Sequence, residues 1–146
     1  MPRSVHHVSV VTAEAAHLIA VLENILGLTA GPTVRVDGAA VACILGWETV
    51  PTTIPTTILG DGAGGMVEII EVPEVQPSTD VGSQPCSGVF QLAFNVRDVE
   101  ATLAAFVEAG AQDVRGPHDV VAYGASVRVG SAVVADIRLQ FATSPS

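Results

Sequence analysis

Gly88–Ala111, GVFQLAFNVRDVEATLAAFVEAGA, is the stretch from which the rest of the chain can be read. Val89–Val96 alternates apolar and polar residues as a strand does, turns at Arg97-Asp98, and passes into a helical pattern that stops at Gly110. Asp98 offers the carboxylate of an N-cap, and Val99, Leu103, Phe106 and Val107 form the apolar stripe. The same order occurs earlier, in Ser4–Leu28, SVHHVSVVTAEAAHLIAVLENILGL. There Val5–Thr12 is the strand, Thr12 the cap, with Glu14 in the positive first turn. Leu18, Leu22 and Ile25 form the stripe, Val21 and Leu26 widen it, and Gly27 is the stop. Setting His7 over Gln91 gives an offset of 84 residues (91 − 7). Self-similarity of this kind implies two copies of one module.

The remaining segments complete each copy. TVRVD (Thr33–Asp37) is a short strand, and AAVACILGW after Gly38 fits either a helical turn or two or a buried strand. Pro51 and Pro55 demote the TTI and TTILG pieces to an edge or irregular strand. DGAGG (Asp61–Gly65) is a turn, and MVEIIEV (Met66–Val72) is a strand with Glu68 and Ile70 on one face. In the second copy AQDVRGP is a strand running into a turn, HDVVAYG a loop, and ASVRVG and VVADIRLQF two further strands. The fold class is therefore α+β, with each half β-α-β-β-β in outline. Residues 1–72 form the first module, the Pro- and Ser-rich residues 73–87 a linker, and 88–146 the second module.

Composition narrows the function. Hydrophobic residues make up 49% of the chain but aromatics only 4%, so the core is aliphatic. Charged residues are 14%, below the usual quarter or so, which leaves apolar surface for a second subunit, a cavity, or both. A net charge of −9 argues against nucleic acid and anionic membrane surfaces. Cys43 and Cys86 lack metal-type spacing and read as reduced packing residues. With no leader pattern and no apolar run long enough to cross a bilayer, a cytoplasmic protein is expected. The sparse charge also leads to the expectation of a homodimer.

HHVSVV with its LGL stop, TTILGDGAGGMVEIIEVPE and GVFQLAFNVRDVEATLAAFVEAGA together resemble the vicinal oxygen chelate superfamily, over about residues 4–142. That group includes glyoxalase I, methylmalonyl-CoA epimerase, extradiol dioxygenases and bleomycin and fosfomycin resistance proteins. The resemblance implies two βαβββ modules curving into an eight-stranded cup, with the helices outside. It also implies four inward positions for a divalent ion: His7, Glu68, Gln91 and, in the closing strand, Arg138. Imidazole, carboxylate and amide oxygen suit Mn²⁺, Co²⁺, Fe²⁺ or Zn²⁺, so His7, Glu68 and Gln91 are the metal candidates. Arg138 offers no lone pair and repels a dication.

The resemblance therefore favours a site without a tightly held metal, in which Arg138 takes the electrostatic role and His7 and Glu68 handle protons. The catalytic candidates are His7, Glu68 and Arg138, with Gln91, Trp47 and Tyr123 as ligand contacts. Plainer readings stand beside these. A lone strand histidine is commonly a hydrogen-bonded rim residue, Glu68 and Arg138 could form a structural pair, and Trp47 or Tyr123 could plug the core. Shifting the last strand by one residue would turn Arg138 to solvent and Ile137 and Leu139 inward. His6, His17, Glu71 and His118 are read as surface residues. Two function classes follow. One is a small-molecule enzyme of isomerase or lyase type, moving a proton next to a carbonyl. The other is a binding protein that sequesters an apolar compound.

Overall fold

A computed structural model describes residues 5–75, 91–122 and 124–143. The chain divides into two compact units, Met1–Gln76 and Pro77–Ser146. The linker read over 73–87 lies outside the described residues from 76 onward, as do Cys86 and Tyr123.

The first unit runs β1 (Val8–Thr12), α1 (Ala15–Asn24), β2 (Thr29–Ala30), β3 (Val34–Asp37), α2 (Gly38–Leu45), β4 (Thr53–Gly60) and β5 (Met66–Glu71). Its sheet has the order β1-β5-β4-β2, with β3 also paired to β4. The parallel β1–β5 pair is closed by everything between them, and β4–β5 is an antiparallel hairpin. Val10, Val67, Ile69 and Leu59 are buried, and α1 packs on β5 with Leu18, Val21 and Leu22 inward.

Three expectations change here, and one left open is settled. The sheet has five strands rather than four, because the two-residue β2 pairs with the end of β4. AAVACILGW resolves as helix: the Asp37 side chain accepts from Ala39 N, and Gly46 at φ 74° closes the C-terminus. Pro55 does not put β4 at an edge. It sits opposite Arg35 in an interior strand whose outer side β2 and β3 cover in succession. Thr12 does not cap α1. Its Oγ1 accepts from Glu14 N at 3.1 Å and forms the turn before the helix, so Glu14 becomes the N-cap position without a side-chain cap.

The second unit runs β6 (Leu92–Asn95), α3 (Val99–Glu108), β7 (Gln112–Ala122), β8 (Ala125–Val134) and β9 (Ile137–Ala142), in the order β6-β9-β8-β7. Again the first and last strands pair in parallel. Asp98 caps α3 as expected, accepting from Ala101 N at 2.9 Å, with Glu100 in the first turn. Val99, Leu103 and Phe106 are buried, and the Phe106 and Phe141 rings lie 4.5 Å apart. Val107, placed in the stripe from sequence, is exposed instead, because the buried face of α3 is narrower than the sequence stripe. The strand, turn and loop expected over Gln112–Gly124 are largely one strand, β7. Register shifts between Gln112 and Arg115, and again between Arg115 and His118, absorb the Gly116-Pro117 break and let pairing with β8 continue. The two-residue β8–β9 turn uses left-handed Ala135 and Asp136, whose twist matches that of the flanking strands.

Gly38 is required by close approach to the backbone. A Cβ on Gly38 would stand 1.9 Å from the Pro51 carbonyl oxygen, and Gly38 N donates to Thr52 O at 2.9 Å. Gly38→Ala is expected to destabilise the protein by about 1–3 kcal/mol, read as a lower urea midpoint at unchanged slope. An unchanged midpoint would contradict this close packing.

Candidate functional site

Parallel pairing sets both groups of candidate residues. In the first unit Ser9 lies opposite Glu68, with His7 two residues earlier on the same face. Ser9 Oγ donates to Glu68 Oε1 at 2.8 Å, and His7 Nε2 stands 3.7 Å from the same oxygen. Val67 and Ile69 on either side of Glu68 are buried, and the Glu68 side chain keeps 20% of its exposure. It is thus partly desolvated but reachable. His7 Nδ1 lies 2.7 Å from His6 Nδ1, so His6, read from sequence as a bystander, holds the ring of His7.

In the second unit the register puts Ala93 opposite Gln140, with Gln91 two residues before Ala93. Gln91 Nε2 donates to Gln140 Oε1. Gln140 thus holds in the second unit the place that Glu68 holds in the first. Sequence reasoning placed Arg138 there; the pairing register of the two terminal strands was the missing information.

Arg138 lies on the same face two residues earlier, at 6% exposure. Its Nη2 pairs with Asp113 Oδ2 and its Nη1 donates to Ser131 Oγ at 3.1 Å. Phe141, of the opposite parity, packs on Phe106 of α3, and Leu139 is fully buried beside it in sequence order. Of the two strand settings left open, the chain adopts the one in which Arg138 is not in solvent. Asp113 also receives Arg115, whose Nε donates to Oδ1 at 2.9 Å and whose Nη2 stands 2.8 Å from it. Arg115 first, and then Arg138, hold the Asp113 carboxyl below the usual range. A separate ion group joins Arg128 to Glu100 at 2.6 Å and to Asp119 at 3.0 Å, tying α3 to β7 and β8. These carboxylates raise the Arg128 pKa, Glu100 contributing most.

A pocket of about 140 Å³ opens on this face of the second unit, lined by Gln91, Gln140, Ser131, Val129, Arg115 and His118. His118 and Arg115 were not expected there, since both fall in the segment read as turn and loop. Trp47 is half-buried just after α2, its N donating to Ala42 O at 3.2 Å. Tyr123 lies outside the described residues, Cys43 is exposed, and His17 is half-buried on α1.

The donor chemistry fits a tightly held dication poorly. The first unit offers one imidazole and one carboxylate, and the second offers two neutral amides bonded to each other. Among the described residues no three of His, Cys, Asp and Glu come together as a metal group.

Two open, mixed sheets, each with a parallel terminal pair and a helix-bearing crossover, define a two-module α+β fold. The chain belongs to the Glyoxalase/Bleomycin resistance protein/Dioxygenase superfamily, whose family model matches residues 4–136. Its fold is that of a glyoxalase family protein from Bacillus cereus, with a TM-score of 0.78 and 18% identity over 100% of this chain and 97% of that one. A glyoxalase family protein from Enterococcus faecalis gives a TM-score of 0.66 at 13% identity, covering 96% and 97%. A mutant of the fosfomycin resistance protein FosX from Listeria monocytogenes, complexed with Mn(II) and 1S,2S-dihydroxypropylphosphonic acid, gives 0.60 at 12% identity, covering 99% and 94%. Comparison with curated proteins finds no match. Membership puts the chain among small-molecule enzymes and resistance proteins in general.

Asp113→Asn tests the ion pairing. A depressed folded-state pKa gives stability that is present above the unfolded value of about 4 and lost as pH falls through the folded one. The variant is expected to melt at a lower temperature at pH 7 and to lose less on acidification than the parent. Parallel acid limbs would contradict this.

Proposed function

We propose that the chain is a small-molecule enzyme in which Glu68 and His7 move a proton next to a carbonyl group. The observation that carries this reading is the shared oxygen: Glu68 Oε1 accepts from Ser9 while facing His7 Nε2 at 3.7 Å. With Oε1 engaged, Oε2 is the proton acceptor, and a side chain only 20% exposed keeps the carboxylate from being fully solvated. One consistent tautomer set has His6 Nδ1–H donating to His7 Nδ1, which leaves His7 Nε2–H as donor. The 3.7 Å gap is of the kind that tightens when a ligand binds. No step is routed through a metal, because the donor set fits one poorly.

The test is solvent exchange. Small keto acids and thioesters incubated with the protein in D₂O should lose the proton signal α to the carbonyl. Glu68→Gln should slow that exchange at least about 100-fold, and His7→Asn about tenfold or more. Saturable binding without exchange would favour the sequestration reading, and tight Mn²⁺ binding by the unmodified protein would replace both with a chelate.

We further infer a homodimer. Ile44 and Leu45 on α2 are 82% and 50% exposed, in a helix, GAAVACIL, that carries no charge. Light scattering at tens of micromolar, roughly the range in which folded homodimers stay assembled, should report twice the chain mass, and a monomer would refute the inference.

A further inference from the structure

All six cationic side chains of this chain are arginines, and the net charge is −9. Against that background the second unit sets Arg115 and Arg138 on one carboxylate, Asp113. Arg128 has the opposite balance, meeting both Glu100 and Asp119. Among the described residues these two cations share the Asp113 carboxylate, and the exposed Arg115 guanidinium extends positive charge into the lining of the pocket. Its side chain is 63% exposed, and Asp113 occupies only the Nε and Nη2 side of its fork.

The rest of the lining carries no carboxylate. Ser131 Oγ accepts from Arg138, which leaves its own proton to donate toward the pocket. Gln91 and Gln140 offer amide groups, His118 a ring nitrogen, and Val129 an apolar patch. A volume of about 140 Å³ holds a few heavy atoms and no more.

We propose that this pocket is a binding site for a small organic monocarboxylate, held by the outer face of the Arg115 guanidinium and by Ser131. The Gln91–Gln140 pair receives a neighbouring hydroxyl or oxo group. One guanidinium in the lining matches a monoanion; a phosphate dianion would bring a second negative charge beside Asp113. Planar guanidinium also fits a planar carboxylate through paired N–H donors. The site lies wholly in the second unit and stands without the proton-transfer reading of Glu68 and His7.

The experiment is calorimetric titration with pyruvate, lactate, inorganic phosphate and glycerol at matched ionic strength. Pyruvate and lactate are expected to bind saturably with Kd of about millimolar, and glycerol not to bind. Arg115→Gln should weaken pyruvate binding about tenfold or more, with Arg115→Lys intermediate. Arg35→Gln, an equal change of charge at an exposed position in the first unit, should leave it unchanged. Arg115→Lys, which keeps a cation beside Asp113, should keep the parent melting profile, and amide shifts induced by pyruvate in a ¹H–¹⁵N spectrum should fall on β6, β7, β8 and β9. Absence of saturable pyruvate binding would overturn the proposal. So would tighter binding of phosphate than of pyruvate, an affinity indifferent to Arg115→Gln, or equal losses in Arg35→Gln and Arg115→Gln. These readouts do not depend on exchange in D₂O. Failure of that assay would leave this site standing, and failure here would leave the base standing.

Discussion

The parallel pairing of the first and last strand of each unit is the constraint on which the rest depends. Parallel neighbours cannot be joined by a tight turn, so the chain must leave the sheet, form a helix against it and return. That requirement accounts for α1 and α3, for their apolar stripes, and for the antiparallel hairpins that bring the chain back to β1 and β6. It also fixes the chemistry. Pairing Ser9 with Glu68, and Ala93 with Gln140, brings polar side chains distant in sequence onto one face of each sheet.

The two units use that common geometry differently. In the first, a half-buried carboxylate is held by a hydroxyl, with an imidazole 3.7 Å from the same oxygen. In the second, the equivalent positions are amides, and charge is displaced to the Arg115–Asp113–Arg138 group beside them. The two units thus differ at a few face positions of one framework. The superfamily is defined by its fold, and a fold of this kind carries many chemistries through such changes.

Asp113 shows how a local irregularity enters that division. It has φ 43°, uncommon for a residue other than glycine, and lies where the β7–β8 register shifts. A regular strand would carry its side chain to one face by parity alone. The bulge instead turns the carboxylate to where both arginines reach it, so the buried Arg138 guanidinium is compensated.

Much of the fold was legible in the amino-acid order because it rests on local patterns: alternation in β1, β5 and β6, the Asp98 cap, the stops at Gly27 and Gly110, and the offset repeat. Candidate residues His7, Glu68 and Gln91 came instead from the family resemblance, carried onto matching strands of this chain. What the order alone could not decide involved pairing between distant segments. Pro55 marked an edge until β2 and β3 were seen to cover β4, and Gly116-Pro117 marked a loop until bulges carried β7 through it. The fourth position fell on Arg138 until the β6–β9 register moved it to Gln140. Local propensity acts over a few residues, whereas register is set by which side chains must be buried together. Only the folded sheets therefore determined which polar groups meet.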